Sequence, residues 1–138
     1  MTLLREDTEL AYGKLYARLF APQEDGTENE RCIISLISVG DYDMVFTGDS
    51  LKKAELRLIG EHELPDTELL IVGHHGSQSS TDEAFLSAIR AEDAIISVGR
   101  NNSYGHPTRE VLARLQAHGC RVFRTDRNGT VEVRVNTK

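Results

Sequence analysis

Three short clusters in this chain carry side chains that can do chemistry, and each stands just behind an apolar run. The first is Phe46-Thr47-Gly48-Asp49-Ser50. A carboxylate that follows a glycine at the end of a buried strand is displayed at a sheet edge, where α/β folds bind their ligands. Asp49 or Ser50 can equally cap a following helix. The second cluster is Gly73-His74-His75-Gly76-Ser77. Adjacent histidines point in different directions, so one can bind a metal while the other contacts substrate or steadies the site. The flanking glycines allow a tight turn and close approach of a ligand. No Asp, Glu, Lys or Arg lies between Leu69 and Ser77, which sets the pair apart from two solvated loop histidines. The third cluster runs from Ser97 through Asn101, Asn102, Ser103, Tyr104 and Gly105 to His106-Pro107. It is dense in hydrogen-bonding groups and ends in a histidine at a helix start, a place that favours anions and opposes protonation of His106. A polar loop that only caps a helix is the other reading of it.

Taken together, an Asp and two or three His at the ends of successive strands form an oxygen and imidazole set suited to Zn or Mn. A carboxylate bridging two ions among imidazoles is a hydrolytic arrangement. The ions lower the pKa of water and clamp a phosphoryl oxygen. His62 and His118 have no such context and read as structural or surface residues.

The elements that must position these clusters follow from periodicity. Residues 8–22 read as a strand or hairpin arm, and 23–31 as a polar loop. Residues 32–39 read as a buried strand paired through a Gly40-Asp41 turn with 44–46. Leu51, Ala54 and Leu58 then share one helical face. Residues 69–72 form a short apolar run, typical of a strand covered on both faces. Ser80-Thr81-Asp82-Glu83 has capping-box spacing ahead of Phe85, Leu86 and Ile89. Residues 94–98 give another buried strand. Pro107 suits the first position of a helix that Gly119 would end. Residues 120–123 and the alternating Val131, Val133 and Val135 are expected to close the sheet. The order β-β-β-α-β-α-β-α-β-β is α/β.

The chain has 138 residues, 39% hydrophobic and 28% charged, enough for one core with an ordinary surface. Its formal net charge of −6 argues against a broad grip on nucleic acid, so any DNA contact is local or offset by metal ions. Cys32 and Cys120 lie far apart with no Cys-x-x-Cys spacing, and read as buried free thiols rather than a disulfide framework or zinc knuckle. No stretch is long and apolar enough to span a bilayer, and no signal peptide is expected.

The order of the motifs also carries a resemblance. Asn29 through Leu36, Val45-Phe46-Thr47-Gly48-Asp49, Gly73-His74-His75-Gly76-Ser77, the Asn102-Ser103-Tyr104-Gly105-His106-Pro107 loop, and Phe123-Arg124-Thr125-Asp126 with Gly129 resemble the C-terminal part of the metallo-β-lactamase-like domain of ComEC-type DNA-uptake proteins. The match runs from about residue 10 onward. It implies α/β architecture as the C-terminal portion of an αββα sandwich. It implies Asp49 as a bridging metal ligand, His75 as a second ligand with His74 beside it, and His106, Asn102 and Ser77 at the substrate phosphate. The expected cofactor is divalent Zn or Mn in the intact domain. The expected substrate is DNA. The expected partners are an N-terminal half, a membrane channel part and, through bared apolar surface, a second copy. The chain would then be a soluble domain of a bacterial cytoplasmic-membrane protein.

Two departures stand out. Cys32 occupies a position where the family often has Ser, a packing change. The family's early His-x-(His/Asp)-x-Asp-His cluster has no counterpart, since residues 1–48 contain no histidine. The expectation is therefore a single domain fragment, 1–138, inactive alone, whose parent is a metal-dependent phosphodiesterase or nuclease. The alternatives are a non-catalytic DNA-binding or assembly module of the same fold, and a metallohydrolase of a small phosphoester.

Overall fold

A computed structural model describes residues 4–22, 27–29 and 31–136. Four strands come first: β1 (Thr8–Tyr12), β2 (Leu15–Phe20), β3 (Ile34–Val39) and β4 (Tyr42–Phe46). Then helices alternate with strands: α1 (Lys52–Glu61), β5 (Leu69–Ile71), α2 (Glu83–Ile89), β6 (Asp93–Ile96), α3 (Arg109–Ala117), β7 (Arg121–Arg124) and the single turn α4 (Thr125–Asn128). The strands form one seven-stranded sheet in chain order, antiparallel from β1 to β4 and parallel from β4 to β7.

Each parallel crossover steps one strand in the same direction. Right-handed connections therefore put α1, α2 and α3 on one face. The core lies there: Leu36, Val45, Leu70, Ala94 and Ile96 from the strands meet Leu58, Phe85, Ile89, Val111 and Leu115 from the helices. Strand alternation sends the intervening residues to the opposite face. Phe46, Ile71, Ile95 and Phe123 pair across four strands and make an apolar row there. The same logic explains why the three clusters meet. Parallel strands all end at one edge, so whatever follows β4, β5 and β6 gathers at that carboxyl edge.

Several local expectations change. Residues 131–136 take no strand, because the Val131–Val133–Val135 alternation has no neighbouring ladder to complete among the described residues. Cys32 precedes β3 and is half-buried, while Cys120 is buried, and both are free. Leu51, not Asp49 or Ser50, is the N-cap of α1, with no side-chain cap bond. Asp82 caps α2 through Ala84 N, at 2.9 Å, because the Ser80 hydroxyl is already engaged with the carbonyls of Gly73 and Ser77. Pro107 lies in the turn before α3, which Thr108 caps by accepting from Val111 N. Part of the 23–31 loop lies outside the described residues.

Candidate active site at the carboxyl edge of the sheet

The turn Gly73–Gly76 is the centre of the site. It is built from backbone that only a crowded environment would enforce. His74 (φ 48°) and His75 (φ 54°) both sit in the left-handed region, at a cost of roughly 1–3 kcal/mol each for non-glycine residues. The surroundings hold them there. His74 N donates to Gly48 O at 2.9 Å, the Ser80 hydroxyl reaches Gly73 O at 2.8 Å, and Thr108 N donates to Gly76 O at 2.9 Å. Gly73 has no room for a side chain, since a Cβ would lie 2.8 Å from Thr47 Oγ1. Two helices, α1 before the turn and α3 after it, brace the rest of the loop. Arg114 of α3 donates to the carbonyls of Ser80 (3.0 Å), Thr81 (2.5 Å) and Gln78 (3.1 Å). Glu55 of α1, fully buried, accepts from the backbone N–H of Thr81 and Asp82, both at 2.8 Å. Burial pushes the Glu55 carboxyl up to about 7, against the pull of those two hydrogen bonds.

The turn aims the two histidines apart. His75 Nε2 lies 3.7 Å from Asp49 Oδ1, with both side chains about half exposed. Its other ring nitrogen, Nδ1, donates to Ser97 O at 2.7 Å. In the neutral ring that bond puts the free lone pair on Nε2, which faces Asp49. A metal-ligating imidazole is usually held in this way, through its far nitrogen. His74 turns instead toward the third cluster, where its ring meets that of His106 edge-on at 5.9 Å. Neither His74 Nδ1 nor His106 Nδ1, both buried, has a hydrogen-bond partner among the described residues. Burial lowers the pKa of His106, and the nearby His74 and His75 lower it further.

The remaining expected site residues are braces in this arrangement. Asn102 folds over its own loop, donating to His106 O (2.7 Å) and Gly99 O (3.2 Å) and accepting from His106 N (3.0 Å). Ser77 is buried, with its hydroxyl 2.9 Å from that of Ser79. Thr125, after β7, ties the start of the third cluster by accepting from Val98 N at 2.8 Å. His62 stands apart from the site. It receives a bond from Arg18 at Nδ1 and faces Asp7 through Nε2, both at 3.3 Å, joining α1 to the hairpin.

Whether a divalent ion fits can be judged from the donors. Zinc sits about 2.0–2.2 Å from imidazole nitrogen and carboxylate oxygen. Two such ligands at a tetrahedral angle lie a little over 3 Å apart, so a 3.7 Å gap closes on an ion with a small side-chain movement. Asp49 and His75 thus fit one side of a metal site. No group of three or more candidate ligands occurs among the described residues, so the pair is a partial set.

Sequence reasoning missed Glu55 and Arg114. Glu55 had a legible signal: it falls on the face of Leu51 and Leu58, at helical spacing, where an acid is out of place. Arg114 had none, because a guanidinium that reaches carbonyls in a distant loop looks like any surface arginine.

A mixed seven-stranded α/β domain with a carboxylate and three imidazoles at the carboxyl ends of its parallel strands is the class these features define. No protein-family model matches the chain. It is 36% identical to ComE operon protein 3 of Bacillus subtilis over 115 residues, which is 83% of this chain and 15% of that protein. It is also 36% identical to competence protein ComA of Neisseria gonorrhoeae over 102 residues, 73% of this chain and 15% of the relative. The same identity holds with recombination protein 2 of Haemophilus influenzae over 121 residues, 86% of this chain and 15% of the relative. The chain belongs to the family of ComEC-type competence proteins, and it spans about 15% of the length of the relatives it matches. No helix among the described residues is long and apolar enough to cross a membrane.

Proposed function

We propose that this chain supplies part of a metal-dependent phosphodiesterase or nuclease that acts on DNA during its uptake. The observation that carries the proposal is the Asp49–His75 pair, with His75 locked by Ser97 so that its bare nitrogen faces the carboxylate. In this reading Asp49 and His75 hold Zn or Mn, and ligands beyond this pair complete the coordination. When bound, such an ion supplies Lewis acidity toward a phosphoryl oxygen and a strong nucleophile at neutral pH. The chain's own residues position the substrate. His106, its pKa lowered by burial, is neutral at pH 7 and offers a ring nitrogen to a hydrogen-bond donor. His74 packs against it, and Asn102 and Ser77 fix the two loops that carry them.

The fold reading extends in the same direction. The row Phe46, Ile71, Ile95 and Phe123 lies on the face away from the helices, and a second sheet packed on it would complete an αββα sandwich of metallo-β-lactamase type. The names of the relatives, competence and recombination proteins, support DNA as the substrate, and a membrane-associated parent is part of the same reading.

The test is Asp49→Ala in the full-length protein, assayed with Mn on single- and double-stranded DNA beside a thermal melt. Hydrolysis should be lost. Asp49 caps no helix and is half exposed, so the melting temperature should hold. A folded variant that cleaves DNA as fast as the parent refutes the metal assignment and favours a DNA-binding or assembly module.

A further inference from the structure

Tyr104 is the one prominent side chain of the third cluster that neither braces the loop nor belongs to the ligand pair. It is 81% exposed, so its ring is open to whatever enters beside it. The ring lies nearly parallel to the imidazole of His106, at 21° and 6.1 Å between centroids. His106 in turn meets His74 edge-on, and next to His74 in the chain stands His75, facing Asp49. Tyr104, His106 and His74 therefore form a short succession of rings that ends on the turn carrying His75. The loop that presents Tyr104 is well held. Asn102 makes three hydrogen bonds across it, and its far end is tied by Thr108 N to Gly76 O.

We infer that Tyr104 is a stacking platform for a nucleobase of a single strand, or of a frayed end, entering the site beside His106. This rests on the hydrolase reading above and adds the form of nucleic acid that the site takes. Charge favours such a device. A chain of net charge −6 gains little from neutralising phosphates, whereas stacking on an aromatic ring needs no charge. Stacking also selects for unpaired bases, because a base inside a duplex already has both faces covered. The same ring would thus favour single strands over duplex without reading sequence.

The experiment uses the full-length protein and measures binding by fluorescence anisotropy. The probes are a labelled single-stranded oligonucleotide and the same strand with abasic sites in place of its bases. Tyr104→Ala should weaken binding of the oligonucleotide by roughly tenfold, within the range for one base on an aromatic side chain. It should leave the abasic strand unchanged, and Tyr104→Phe and Tyr104→Trp should bind like the parent. Equal loss on both strands would overturn the inference, since the tyrosine would then act through the loop. Loss in Tyr104→Phe as great as in Tyr104→Ala would also overturn it, since the hydroxyl would then be the contact. The two readings fail separately. If Asp49→Ala abolishes hydrolysis while Tyr104→Ala binds both strands like the parent, only the stacking inference falls. If Asp49→Ala cleaves normally while Tyr104→Ala loses only the base-bearing strand, the metal assignment falls and the platform stands.

Discussion

The Gly76→Ala substitution tests the structural logic of the site with a single carbon atom. A Cβ built on Gly76 would lie 2.6 Å from the Cβ of Pro107 and 3.1 Å from its Cα. Contacts that short do not persist, so either the turn or the Pro107 segment must move. Neither is free to do so, because Pro107 is buried and Thr108 N is bonded to Gly76 O at 2.9 Å. Overpacking of this kind costs roughly 1–3 kcal/mol. Gly76 also has φ +80°, which adds about 1–2 kcal/mol for any residue with a side chain. The sum is a large share of the roughly 5–15 kcal/mol that stabilises a typical domain. Gly119→Ala isolates the steric part. It has a nearly identical φ of +78°, but nothing within 4 Å of the added carbon. Urea denaturation of both variants should show Gly76→Ala less stable than Gly119→Ala by about 1–3 kcal/mol. With an m-value of about 1–3 kcal/mol/M, the midpoints should differ by about 1 M. Equal midpoints would refute the claim that the histidine turn is wedged against the His106 loop.

Three further expectations concern the braces. Because the folded-state pKa of Glu55 is raised to about 7 from 4.5, its contribution to stability is full below pH ~4.5 and is lost as pH rises through about 7. At about 1.4 kcal/mol per pH unit this amounts to roughly 3 kcal/mol, and Glu55→Gln should flatten that part of a stability–pH profile. A profile with the same slope in both proteins would refute it. Arg114→Ala should cost roughly 1.5–3 kcal/mol in chemical denaturation, and Arg114→Lys should recover little, because an ammonium cannot fork to the carbonyls of Gln78, Ser80 and Thr81. Asp82→Ala should cost about 1 kcal/mol in the same measurement as the loss of an N-cap, an outcome that distinguishes it from the capping box expected at Ser80.

Much of the architecture was legible in the residues themselves. The apolar run 69–72 and the strand 94–98 stand out because their residues are apolar on both alternating faces, and they form parallel strands, β5 beside β4 and β6 beside β5. Clusters that follow such strands must share the carboxyl edge, so the approach of Asp49 to His75 and of His74 to His106 followed from order alone. Helix starts were harder to read. Ser80 and Asp82 both have the chemistry of a cap, and only the folded chain decides that the Ser80 hydroxyl goes to the carbonyls of Gly73 and Ser77. The final valines alternate as a strand should, yet a strand exists only when a neighbour completes its ladder, which no local pattern can report. The sequence also left open which histidine faces Asp49. Tertiary structure decided it, because left-handed backbone at both positions and a hydrogen bond from His75 to Ser97, 22 residues away, set the direction of each ring. Residue identity determined which groups were available and at which edge they would gather. Their orientation depended on contacts between segments distant in the chain, and the energy of those contacts is not a property of either segment alone.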